Sequence, residues 1–229
     1  MDRVVDGVYQ VKKGFRAFVI DGDEGLTLID TGLPKRASVF TEGIESIGRS
    51  VADIRAILLT HSHADHAGSA AQLKSDSGAE LYCSAADTPA VQGAEKAPPP
   101  PFLDKTPFQI LKPLLGLLPD AEPAVVDHQI QAGPEQMLPE DLVAFASPGH
   151  TPGHTSYRLE RAAGILFVGD AVLHKGGTVN RGWFNRSTPD IDRSARDLAA
   201  LEFEVACFGH ADPITSGASA AFKAYAAKL

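Results

Sequence analysis

His61, His63, Asp65 and His66 crowd into six positions of "ILLTHSHADHAG", residues 57 to 68. Imidazole and carboxylate together suit zinc, and also iron or manganese. His150, Asp170 and His210 follow later, in "LVAFASPGH", "GILFVGD" and "FEVACFGH". Each closes an apolar strand-like run, as the first cluster does. Strand ends on one edge of a sandwich lie close in space, so these four loops can meet. Two ions roughly 3.5–4 Å apart need about as many ligands as these residues offer, one of them bridging. A pair such as His61 and His63 can converge from an extended or turning backbone. Asp65 and His66 can turn to a second ion where a helix begins.

"VVDGVYQV" alternates like a strand, and "FRAFVIDGDEGLTLIDTG" reads as a hairpin with its glycines in the turn. Residues 34 to 48 read as a helix, with Pro34 in the first turn and Val39, Phe40, Ile44 and Ile47 on one face. Residues 54 to 60 form a strand, and a helix starts near His66 and runs through Leu73. "AELYCS", "LVAFASPGH", "TSYRLE", "GILFVGD" and "FEVACFGH" are further strand-like runs. Residues 190 to 201 read as a helix capped by Asp190, and "ASAAFKAYAAKL" closes the chain as another. Strands come in groups with helices set apart, twice over. That pattern predicts an α/β (α+β) fold of two similar halves, each a sheet with helices on its outer face.

Residues 88 to 123 stand apart as an insert. "KAPPPPF" fits neither a regular helix nor an inner strand. "FQILKPLLGLLP" is apolar but interrupted by Pro113 and Gly116. It suits a short buried helix, a dimer contact or a lid, and its exposed apolar surface favours a homodimer.

The composition excludes several classes. The 229 residues carry a net charge of −8, against the basic stripe of a nucleic-acid binder and against anionic membranes. No stretch approaches the roughly 20 apolar residues of a membrane span. "MDRVVDGVYQ" lacks the apolar core of a signal peptide, so the expected location is cytoplasmic. Cys83 and Cys207 lie in no thiolate zinc spacing and read as buried thiols. The expected partner is a small molecule.

"THSHADH" matches the HxHxDH signature of the metallo-β-lactamase superfamily, and "SPGHTPGH", "FVGD" and "FGHADP" resemble its later ligand motifs in the same order. The resemblance extends over nearly the whole chain, "LTLIDTG" near residue 30 included. It implies one domain, 1–229, folded as a four-layer αββα sandwich with the metals at one edge. It implies that His61, His63 and His150 hold a first metal, and Asp65, His66 and His210 a second, with Asp170 bridging. Two Zn2+ per chain are then expected, with iron or manganese as alternatives. Asp30 is placed to orient a ligand histidine. His154 reads as a supporting histidine, and His128 and His174 fall outside the match.

Two such ions lower the pKa of a shared water towards neutrality, so a bridging hydroxide can attack a carbonyl. Asp65 or Asp170 can pass the proton to the leaving group. No serine or cysteine nucleophile is needed, and no nucleophile elbow is present. The expected enzyme is a binuclear metallo-hydrolase that cleaves an ester, lactone or thioester. Asp170 and His66 set the chain apart from true β-lactamases. It resembles glyoxalase II in its ligands, without that enzyme's helical region after the last histidine. It resembles the lactonases too, but Leu173 stands where they carry a tyrosine, leaving Tyr157 or His174 to replace the phenol. A single-iron persulfide dioxygenase is the alternative, distinguished by metal count. Trp183, Phe184 and the 102–118 stretch are candidates to line an apolar cleft with Leu173, and Lys175 and Arg181 to meet a carboxylate.

Overall fold

The computed structural model describes residues 1–97, 121–132, 136, 138–182 and 184–229. Seven strands form the first sheet, in sequential order: β1 (Asp2–Val5), β2 (Val8–Lys12), β3 (Arg16–Gly22), β4 (Gly25–Ile29), β5 (Ile54–Leu58), β6 (Glu80–Ser84) and β7 (His128–Ile130). The first four pair antiparallel, and β4 to β7 run parallel. The second sheet has the order β13-β10-β9-β8, from β8 (Val143–Ala146), β9 (Thr155–Leu159), β10 (Ile165–Gly169) and β13 (Val205–Phe208). A separate ribbon pairs β11 (Val172–Lys175) with β12 (Thr178–Arg181). Longer helices are α1 (Ala37–Glu45), α3 (Ala70–Ser77), α5 (Thr188–Ala199) and α6 (Ala218–Ala226); α2 (Ala64–Ala67) and α4 (Thr88–Val91) are single turns.

Strand alternation builds the layers. On β3, Phe18 and Ile20 face the second sheet while Ala17 and Val19 face α1. On β10, Ile165 and Phe167 face the first sheet while Leu166 and Val168 face α5 and α6. A strand covered on both faces is apolar throughout, which is why β4 and β10 are buried along their whole length. Three apolar layers thus separate four structural ones, the αββα sandwich expected. Among the described residues its halves are unequal, seven strands against four, and β7, β11 and β12 differ from the sequence expectation.

Local boundaries also differ from the sequence reading. The helix expected from residue 34 begins at Ala37. The helix expected from His66 to Leu73 is two, because the backbone N–H of Gly68 leaves the helical ladder to donate to the Gly32 carbonyl (2.9 Å). α5 is capped by Ser187, whose hydroxyl accepts from the Asp190 N–H (3.3 Å); Asp190 sits in the first turn and pairs with Arg193. Cys83 and Cys207 are buried free thiols, and burial pushes Cys83 up to about 12. Most of the Pro-rich insert, residues 98–120, lies outside the described residues, as does Trp183. Among the described residues, no helix is long and apolar enough to cross a membrane.

Candidate metal centre

Topology brings the candidate ligand loops together. β4, β5 and β6 are parallel, so their C-terminal ends share one edge. β8 and β10 both run antiparallel to β9, and β13 runs parallel to β10, so their C-terminal ends also share an edge. Asp30 follows β4, the His61–His66 cluster β5, His150 β8, Asp170 β10 and His210 β13.

The side chains converge in three groups, with all donor atoms of a group within 4.8 Å: His61, His63 and His150; Asp65, His66 and His210; and His61, His66 and Asp170. In the first, His63 Nδ1 lies 3.1 Å from His61 Nε2 and 2.9 Å from His150 Nε2. In the second, His210 Nε2 lies 3.4 Å from His66 Nε2 and 3.2 Å from Asp65 Oδ2. Tetrahedral zinc with nitrogens at 2.0–2.1 Å sets neighbouring donors about 3.3–3.4 Å apart, close to these separations. Asp170 lies between the groups. Its Oδ1 is 3.5 Å from His66 Nε2, and its Oδ2 is 3.5 Å from His150 Nε2 and 3.2 Å from His210 Nε2. Asp170 Oδ1 is buried and accepts no hydrogen bond. A buried carboxylate oxygen without a donor, among imidazole nitrogens, fits a cation.

Hydrogen bonds behind His61 and His66 orient their rings. Asp30 is buried, with φ of 63°, a conformation aspartate tolerates. It accepts from the Thr60 N–H (2.7 Å) and the Thr60 hydroxyl (2.8 Å) and pairs with His66 Nδ1 (2.8 Å). The Thr60 proton is committed to Asp30, so Thr60 Oγ1 accepts from His61 Nδ1–H (3.0 Å). His61 thereby presents Nε2 as a free lone pair, and the Asp30 contact fixes the His66 ring with Nε2 turned toward His210. Asp170 donates its backbone N–H to His154 Nε2 (3.0 Å). That ring therefore carries its proton on Nδ1 and donates to Ser147 Oγ (2.8 Å). Ser147 donates to Ser156 Oγ (2.8 Å), and Ser156 to the Val168 carbonyl (3.1 Å). Gly169 takes φ of 56°, and a Cβ there would lie 2.6 Å from His154 Nε2. A Cβ on Gly209 would collide with Asp170 Oδ1.

Charge divides the site. Burial, then the neighbouring histidines, push His61 well below its ordinary range. Burial lowers His150 to about 4, and burial with His150 lowers His154 to about 3. These rings are neutral at pH 7. For His66, burial is outweighed by Asp170, Asp30 and Asp65, which lift it to about 9. For His210, burial is outweighed by Asp170 and Asp65, which lift it to about 10. Asp65 and Asp170 are in turn held well below the carboxylate range, as the histidines outweigh burial. In the first group His61 and His150 are buried and His63 half-buried, while Asp65 and His210 are about one-third exposed.

The other expected residues divide differently. Tyr157 is a correction: it is fully buried in the inter-sheet core and its hydroxyl donates to the Leu59 carbonyl (2.6 Å). Leu173 is partly buried and packs against the apolar layer under α5 and α6. His174 stacks on Phe208 (5.5 Å) and bonds through Nδ1 to the Asp212 carbonyl (3.1 Å). His128 sits on β7 beside Tyr82 and Glu80, away from the ligand edge. Arg181 is forked onto Asp192 of α5 (2.8 and 2.7 Å). Lys175 is exposed at the end of β11. Phe184 is 45% exposed, with φ of 64°. Its loop is tied to the site at both ends: Arg186 N–H donates to the Gly149 carbonyl (2.7 Å), and a Cβ on Gly182 would lie 2.7 Å from the Asp170 carbonyl. Asp87 and Ser147 escaped the sequence reading, since each has the local look of a turn residue.

Comparison with known proteins identifies the family. The family pattern of the Metallo-beta-lactamase superfamily matches residues 16–210. The probable metallo-hydrolase YflN of Bacillus subtilis (strain 168) is 32% identical over 216 residues, covering 82% of this chain and 76% of its own. The hydroxyacylglutathione hydrolase GloC of Haemophilus influenzae is 30% identical over 166 residues, covering 70% and 67%. The crystal structure of BJP-1, a subclass B3 metallo-beta-lactamase of Bradyrhizobium japonicum, superposes with a TM-score of 0.74 at 26% identity, covering 100% of this chain and 89% of that one. With the sandwich, the ligand loops and the sequence match all in accord, the chain belongs to the metallo-beta-lactamase superfamily.

Proposed function

We propose that the protein is a hydrolase that holds two divalent cations, zinc by its donor set, and cleaves an ester, lactone or thioester of a small molecule. One observation carries the reading: Asp170 turns one oxygen toward His66 and the other toward His150 and His210, between two separate donor groups. Cations bound there supply Lewis acidity and a water acidic enough to react at neutral pH. His61, His63 and His150 would hold the buried ion, Asp65, His66 and His210 the solvent-facing one, and Asp170 both.

The chain's own groups set the direction of attack. Asp65 and His210 form the open rim, so substrate enters from their side. Asp65 is the carboxylate on that rim, placed to take a proton and return it to the leaving group. Asp170 is pinned through its backbone by His154 and stays in place as a ligand. The hydroxyacylglutathione hydrolase relative favours a thioester within this class.

Acid release at constant pH, with zinc-loaded protein and matched thioester and lactone panels, tests the proposal. Turnover that His61→Ala and Asp170→Ala abolish without unfolding the chain is the expected result. Flat responses from both panels, with one iron per chain and oxygen consumption on a persulfide, would overturn it.

A further inference from the structure

Asp87 stands immediately before the single-turn helix α4, where an aspartate ordinarily caps its own helix. Here it does not: its side chain makes no cap hydrogen bond. It is buried, and both oxygens reach across to the ligand loops. Oδ2 accepts from the Ser62 N–H (2.9 Å) and from the Thr151 hydroxyl (2.8 Å), and Oδ1 accepts from the Gly153 N–H (2.9 Å). Ser62 lies between His61 and His63, and Thr151 directly follows His150. One carboxylate therefore ties together the two loops that carry the three histidines of the first group. The approach is tight, since a Cβ on Gly153 would collide with Asp87 Oδ1 and Ser84 Oγ.

All three donors are neutral. A carboxylate buried away from water with only neutral donors is costly unless positive charge lies nearby. The carboxylates around the centre are Asp30, Asp65, Asp87 and Asp170. Their four negative charges would be balanced by two divalent cations, whose binding displaces the protons of His66 and His210.

We infer that Asp87 is a positioning residue for the first metal: it sets the spacing of His61 and His63 against His150 and supplies an outlying counter-charge to the ion they hold. This rests on the reading that the site binds divalent cations. The inference predicts an effect on one cluster and not the other, which a merely structural role would not produce.

The test is zinc affinity, measured by competition with a chromophoric chelator, in full-length backgrounds that isolate each cluster. His210→Ala leaves the first group, and His63→Ala leaves the second. Adding Asp87→Asn to His210→Ala is expected to weaken zinc about ten- to a hundredfold. Adding it to His63→Ala is expected to change affinity less than about threefold. Thr151→Val, which removes one hydrogen bond and keeps the charge, shifts the first cluster alone and by less, and decides the matter if Asp87→Asn does not fold. Equal losses at both clusters, or none at the first, would overturn the inference. If the unmutated protein binds no zinc, the underlying function fails; if it binds zinc and only the variants are silent, the role of Asp87 fails alone.

Discussion

Replacing His154 separates two things its ring does. It accepts the backbone N–H of Asp170 and donates to Ser147, and it is buried. In His154→Leu, the Asp170 N–H and one lone pair of Ser147 lose their partners, while Ser147 and Ser156 keep their own proton bonds. An unmet buried N–H costs about 1–3 kcal/mol, and with a smaller loss at Ser147 the total is about 2–4 kcal/mol. For a chain of this size that corresponds to a fall of about 5–15 °C in Tm. The variant still folds, since domains have about 5–15 kcal/mol in hand. The second effect falls on Asp170, whose oxygens face both donor groups: zinc affinity drops about ten- to a hundredfold. His154→Gln, with an amide that can both accept and donate, recovers part of each loss. Thermal unfolding of the metal-free protein and chelator competition measure the two quantities separately. A lowered Tm with unchanged zinc affinity would refute the argument, because the relay would then be supporting the sheet and not the ligand.

Two further perturbations probe other parts of the structure. Phe184 occupies a left-handed conformation that is strained for a bulky side chain and natural for glycine. If the exposed ring meets substrate, Phe184→Gly holds or raises Tm while KM rises several-fold for substrates with large apolar groups and little for small ones; a uniform loss of Tm and kcat would show a structural role. Asp127 lies below its ordinary range because Lys74 and the Leu81 N–H (2.7 Å) outweigh burial. A depressed carboxylate contributes stability above its unfolded pKa and loses it as pH falls through the folded one. Asp127→Asn should therefore cost about 0.5–1 kcal/mol at pH 7, and denaturant curves for the two proteins should converge below about pH 4. A gap independent of pH would contradict the pairing.

Much of the fold was legible because burial on two faces writes itself into the sequence. β10 and β13 are continuous apolar runs, and β4 and β5 are nearly so, broken by the buried Thr27 and the exposed Arg55; each reads as a strand. β7 has three residues, and its His128 and Gln129 carry no apolar signal. The ribbon of β11 and β12 is short, half exposed and mixed in polarity, so neither period shows. The break between α2 and α3 depends on Gly32, which is distant in sequence and adjacent in space.

The candidate ligand residues and their supports were legible to different degrees for the same reason. His61, His63, Asp65 and His66 announce themselves because one short loop must serve two donor groups, and the density of such residues has no structural motive. His150, Asp170 and His210 are visible through repetition, each past the end of a core strand. Tyr157 misled because an aromatic residue near a site looks alike whether it faces a cleft or, as here, spends its hydroxyl on a core carbonyl. Asp87, Ser147 and Ser156 gave no sign at all. A single aspartate or serine in a loop has the composition of a turn, and its role lies wholly in partners such as Ser62, His154 and Val168, most of them remote along the chain. The residues that hold the ligands are thus set by three-dimensional contacts, and their individual substitution should disturb donor geometry long before it disturbs the sheets.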